Sequence, residues 1–155
     1  MISIPMLDLK QQYQDLGESI KDAILKVSQE GNYILGPNVQ RLESSLAAYH
    51  RTKYGVGVAS GTDALTLSLA VLGIGAGDEV IVPAYTFFAT AEAVSIVGAR
   101  PVFVDIDPKT FCIDTSSVER AITSRTKAII AVHLFGHPAD VFNLEKICMK
   151  HSLYL

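Results

Sequence analysis

Cationic runs, cysteine and long apolar stretches are scarce in this chain, and each scarcity excludes something. Its 155 residues carry 13 Lys and Arg against 16 Asp and Glu, spread without blocks, for a formal charge of −3. That leaves no basic stripe for nucleic acid and no polybasic patch for an anionic membrane. Cys112 and Cys148 are too few for a disulfide framework and form no Cys-x-x-Cys pair, so they read as small core residues of a protein in a reducing cytoplasm. No apolar run approaches the roughly 20 residues that span a bilayer. The opening residues also lack the basic and apolar regions of a secretory leader, so the expected location is cytoplasmic. No Gly-x-Gly-x-x-Gly follows a strand-like run, which disfavours dinucleotide binding.

What is present is an apolar content of 49% in a length typical of one domain, enough for a substantial core. The chain is organised around residues 54–72. Val56 and Val58 alternate with glycines as in a buried strand, Ser60-Gly61-Thr62-Asp63 supplies a turn with candidate N-caps, and an apolar helix begins near Ala64. The first turn of such a helix has N–H groups without intrahelical partners, and Gly61 lets an anion come close to the backbone. Phosphate is the natural ligand, with the Thr62 hydroxyl as a further donor. Helix capping alone is the competing explanation of the same residues.

Upstream, Tyr13, Leu16, Ile20, Ala23, Ile24 and Val27 recur at helical spacing and predict an amphipathic helix over 11–29. Residues 31–37 break it, and Pro37 opens a second helix expected to turn Val39, Leu42, Leu46 and Tyr49 inward. Downstream, short apolar runs near 79–82, 101–105 and 128–132 predict strands. They alternate with helices near 87–97, 115–124 and 139–150, and a further strand opens at 153–155. With the run at 55–59 this predicts an α/β fold: three layers, a mainly parallel sheet with helices on both faces and right-handed crossovers.

In such sheets ligands bind beyond the carboxyl ends of the strands, where both Ser60-Gly61-Thr62 and residues 83–87 are expected. Phe87 at a helix start can lay its ring on a planar heteroaromatic ligand, or it can be a core residue. His133 and His137 invite a metal reading, but Gly136 and Pro138 deny them a helical face, so no metal is assigned. His133 either lines the site or bonds a neighbouring loop. Asp105-Ile106-Asp107-Pro108 reads as turn chemistry rather than an acid pair.

Six segments in order, 31–37, 59–65, 75–83, 86–90, 104–108 and 133–136, resemble the nucleotide-sugar aminotransferases of the DegT/StrS type, which depend on pyridoxal 5'-phosphate and have the aspartate-aminotransferase-like fold. The resemblance implies that Gly61, Thr62 and Asp63 hold the cofactor phosphate and that Phe87 stacks on its pyridine ring. It also implies a nucleotide-sugar substrate, an amino-acid donor such as glutamate, and a homodimer. Residues 1–50 would be N-terminal helices and 51–155 the start of an incomplete cofactor-binding large domain. Members are more than twice this length, so the ring-nitrogen aspartate and the Schiff-base lysine are expected beyond Leu155, and no catalytic residue is assigned here. Lys53, Lys109, Lys127, Lys146 and Lys150 read as solvated charges or helix-dipole partners. A branch that dehydrates sugars, and an inactive or regulatory member of the fold, are the alternatives.

Overall fold

The computed structural model describes residues 5–155, which divide into two compact units, one ending at Gly57 and the other beginning at Val58. In the first, α1 (Leu9–Glu30) starts where the Asp8 carboxylate accepts the Gln11 N–H, and ends at Gly31, whose N–H still donates to the Val27 carbonyl while its left-handed φ of 69° turns the chain out of the helix. Pro37 occupies the first turn of α2 (Pro37–His50), where its missing N–H has no partner to lose. Both apolar stripes are where the spacing predicts. Leu42, Leu46 and Tyr49, however, do not turn inward: all three are exposed, Val39 is half-buried, and Ala47 is the buried residue of α2. Helical spacing puts these side chains on one face but does not supply an element to cover it.

The segment expected as a strand at 55–59 is not one. It pairs with no strand among the described residues, and Val56 is 79% exposed. Its glycines serve close approach instead. A Cβ on Gly55 would fall 2.5 Å from the Glu43 carbonyl oxygen, and the Gly57 N–H donates to Glu43 Oε1 at 2.7 Å. The alternation of valine with glycine thus lays a bare backbone against α2.

In the second unit, α3 (Gly61–Val71) leads through a glycine turn to β1 (Glu79–Pro83). There follow α4 (Ala89–Ile96), β2 (Arg100–Val104), α5 (Thr115–Ala121), β3 (Thr126–Ile129) and α6 (Val141–His151). The three strands form a parallel sheet in the order β2-β1-β3, with Ile81 opposite both Val102 and Ile129. Tyr154 bridges Ala128 in parallel and extends the sheet on the β3 side, as the apolar residues after α6 predict.

Period-two alternation in β1 splits the core. Val80 and Val82 join Leu69, Ala93 and Val94 of α3 and α4 on one face; Ile81 joins Val118, Leu144 and Ile147 of α5 and α6 on the other. Helices therefore cover both faces, as expected. Cys112 and Cys148 are free and buried, and burial pushes the Cys148 thiol up, with a smaller push from Glu145.

One carboxylate enters this interior, at the amino end of β1. Glu79 is 1% exposed, yet it accepts hydrogen bonds from Thr123 Oγ1 at 2.6 Å and from Arg125 at 2.7 and 3.0 Å, with Arg100 at 3.4 Å. The Thr123 bond, then Arg125, hold its carboxyl below the usual range against the opposing effect of burial.

Candidate functional site

The carboxyl edge of the sheet is where the chemistry-bearing loops gather. The loop after β1 passes to α4 on one face, and the loop after β3 passes to α6 on the other. Diverging connections from neighbouring strands open a crevice at their carboxyl ends. α3 and α4 pack together and both run back toward the amino edge, where Gly98 lies against Ala76. Both helices consequently start on the crevice side.

At the α3 start, Ser60 is the N-cap: its Oγ accepts the Asp63 N–H at 3.0 Å and donates to Asp63 Oδ2 at 2.9 Å, while its carbonyl accepts the Ala64 N–H. The helix thus begins three residues before Ala64. Capping accounts for the N–H groups of Asp63 and Ala64 and leaves those of Gly61 and Thr62 without a protein partner among the described residues. A Cβ on Gly61 would meet nothing within 4 Å, so the space before these donors is open. Thr62 is half-buried and Asp63 exposed. The Asp63 carboxylate is engaged with the cap.

Phe87 is not a core residue. Its ring is 78% exposed on the loop after β1, and its carbonyl accepts the Thr90 N–H at 3.1 Å. His133, after β3, spends its Nδ1 on the Ala139 N–H at 3.0 Å, which puts its ring proton on Nε2 and ties the loop to the approach of α6. Asp105 and Asp107 accept the N–H groups of Ile106 and Lys109 and serve the turn. Of the lysines, Lys150 pairs with Glu119, Lys146 lies 3.9 Å over the Phe142 ring, and Lys53 lies 5.2 Å from the centre of the Tyr54 ring.

An aromatic row escapes a reading of the sequence alone. Tyr85, Phe111 and Phe135 come from the loops after β1, β2 and β3, with centroids 6.2 and 6.1 Å apart along the row. Phe111 and Phe135 hold left-handed φ values of 59° and 54°, a conformation that costs a bulky residue about 1–2 kcal/mol. One aromatic residue after each strand is the signal that could have marked the row.

This edge belongs to a family of known chemistry. The family model described as the DegT/DnrJ/EryC1/StrS aminotransferase family matches residues 14–155, and the chain belongs to that family, whose members work with pyridoxal phosphate. Among curated relatives, the chain is 49% identical over 151 residues to the UDP-N-acetyl-3-dehydro-alpha-D-glucosamine 3-aminotransferase of Acidithiobacillus ferrooxidans, covering 97% of this chain and 41% of that protein. It is 48% identical over 152 residues to a pleiotropic regulatory protein of Geobacillus stearothermophilus, covering 98% and 41%. Among solved structures, NtdA from Bacillus subtilis with bound cofactor PMP superposes with a TM-score of 0.92 at 38% identity, covering 99% of this chain and 35% of that one. The chain spans about two-fifths of the length of the curated relatives it matches.

Proposed function

We propose that the protein built on this chain is a pyridoxal-phosphate-dependent transaminase that moves an amino group from an amino acid, glutamate being the expected donor, to the carbonyl of a nucleotide-linked keto sugar in polysaccharide or antibiotic-sugar biosynthesis. The observation that carries the proposal is the α3 start. Two N–H groups left over from capping face open space on the crevice side, with an exposed Phe87 on the neighbouring helix start.

These residues fit the cofactor. The Gly61 and Thr62 N–H groups and the Thr62 hydroxyl supply donors of the kind a phosphate needs at a helix N-terminus. Asp63 carries the same sign as the phosphate, so its part is to hold Ser60 and keep the turn in shape rather than to touch the ligand. Phe87 offers a flat apolar face that orients the pyridine ring and excludes water from one side. When bound, the cofactor supplies an electron sink for bond changes at the amino-bearing carbon. This chain contributes binding and orientation, and the reading assigns no proton-transfer residue within it.

The reading extends to a cytoplasmic homodimer, with residues 51–155 as the start of the cofactor-binding large domain. What supports the dimer is the apolar stripe left exposed on α1 and α2, including Tyr13, Leu16, Ile24 and Leu46. A regulatory role is the second reading, favoured by the relative bearing that name.

The test uses the protein that carries this chain. Thr62→Ala removes one charge-assisted hydrogen bond and should weaken cofactor retention by about 1.5–3 kcal/mol, with a smaller loss for Phe87→Ala, both read by equilibrium dialysis against pyridoxal phosphate. Transfer of isotopic nitrogen from glutamate to a nucleotide keto sugar separates transaminase from regulator and from dehydratase. Cofactor retention untouched by both substitutions would sink the proposal.

A further inference from the structure

Phe87 presents an orientation problem that its own side chain does not solve. Its ring is largely in solvent and takes part in no aromatic pair among the described residues, so the backbone of the loop sets its attitude rather than packing. At Thr86 and at the Phe87 carbonyl that backbone is held by one residue, while the Phe88 carbonyl accepts the Ala91 and Glu92 N–H groups of α4. Thr90 is 5% exposed, in the first turn of α4; its N–H donates to the Phe87 carbonyl at 3.1 Å, and its hydroxyl lies 3.3 Å from Thr86 Oγ1. Phe88, at the N-cap position, makes no side-chain cap bond, so nothing of that kind anchors the loop there. A β-branched side chain has few χ1 choices, which makes Thr90 a stiff tether.

We propose that Thr90 is the positioning residue for Phe87. Its hydroxyl fixes Thr86 on one side of the aromatic residue and its N–H fixes the Phe87 carbonyl, so the ring is held ready for a flat ligand before one arrives. The consequence for binding rests on the stacking role proposed above; the tethering does not.

Phe87→Trp installs a reporter at the ring itself, in a stretch of 155 residues that holds no other tryptophan. In that background, Thr90→Val keeps the shape of the side chain and removes the hydroxyl. Indole anisotropy should fall, and quenching by pyridoxal phosphate should require about two- to tenfold more quencher. Thr90→Ser, which keeps the hydroxyl but lacks the branching methyl group, should move both readouts back toward those of Phe87→Trp alone, an effect that general destabilisation would not produce. Thr86→Val breaks the same pair from its half-buried partner and covers the case in which Thr90→Val does not fold. Unchanged anisotropy in a folded valine variant, or a Thr90→Ser variant that recovers none of the loss, overturns the proposal. If anisotropy behaves as expected but pyridoxal phosphate quenches none of the proteins, the tether stands and the stacking role of Phe87 falls.

Discussion

The two units of this chain are built by different physics. In residues 5–57, local signals are enough to make helices: Asp8, Gly31 and Pro37 mark ends, and the apolar stripes have helical period. Yet the buried helical residues there are small, Gly17 and Ala47. In residues 58–155 the reverse holds. α4 and α5 are short, and the strands are held by two cores in which Val80, Ile81, Val82, Val118 and Leu144 have no exposed surface at all. Periodicity therefore reports that a face is apolar, but says nothing about whether the same unit covers it.

Substitutions can break or sharpen this contrast. The largest effect is expected in the second unit: Leu144→Ala should cost about 2–5 kcal/mol in chemical denaturation, because it removes a fully buried side chain and leaves a cavity between α6 and the sheet. A loss under 1 kcal/mol would mean that this core is far looser than its burial implies.

A smaller effect should come from the cap of α5. The Asp114 carboxylate accepts bonds from the hydroxyl and N–H of Ser117 and of Ser116, and these hold its pKa at about 2 against an ordinary 3.8. Because the folded value is the depressed one, the stabilisation is complete above the unfolded pKa and disappears as pH falls through about 2. Asp114→Ala should cost about 1–2 kcal/mol near neutrality, and its Tm should converge on that of the unaltered protein at the acid end of that window. A Tm difference that persists unchanged down to pH 2 would contradict the assignment.

The smallest effect is expected on α2. Leu46 is 47% exposed, so Leu46→Ala in the 155-residue chain should change stability by no more than about 0.5 kcal/mol. The same substitution in the proposed dimer should instead be read by sedimentation, where a shift toward monomer would show that this stripe is covered by a second copy.

Much of the secondary structure was legible in the residues themselves. Helix ends follow from caps, glycines and prolines, and the strands at 79–83 and 100–104 follow from short apolar runs, because these signals act through hydrogen bonds and sterics within a few residues; the third strand, expected at 128–132, lies at 126–129, since pairing with β1 rather than the apolar run sets its ends. The turn role of Asp105 and Asp107 and the Ser60 cap were of the same local kind. Only the tertiary structure decided that Gly55 and Gly57 lie against α2 instead of in a ladder, since a strand exists only where a partner supplies the other half of its hydrogen bonds. It likewise decided the order β2-β1-β3, the solvent exposure of Phe87 and the meeting of Tyr85, Phe111 and Phe135. Those facts join residues from loops far apart in the chain, and no local preference encodes which loop ends beside which.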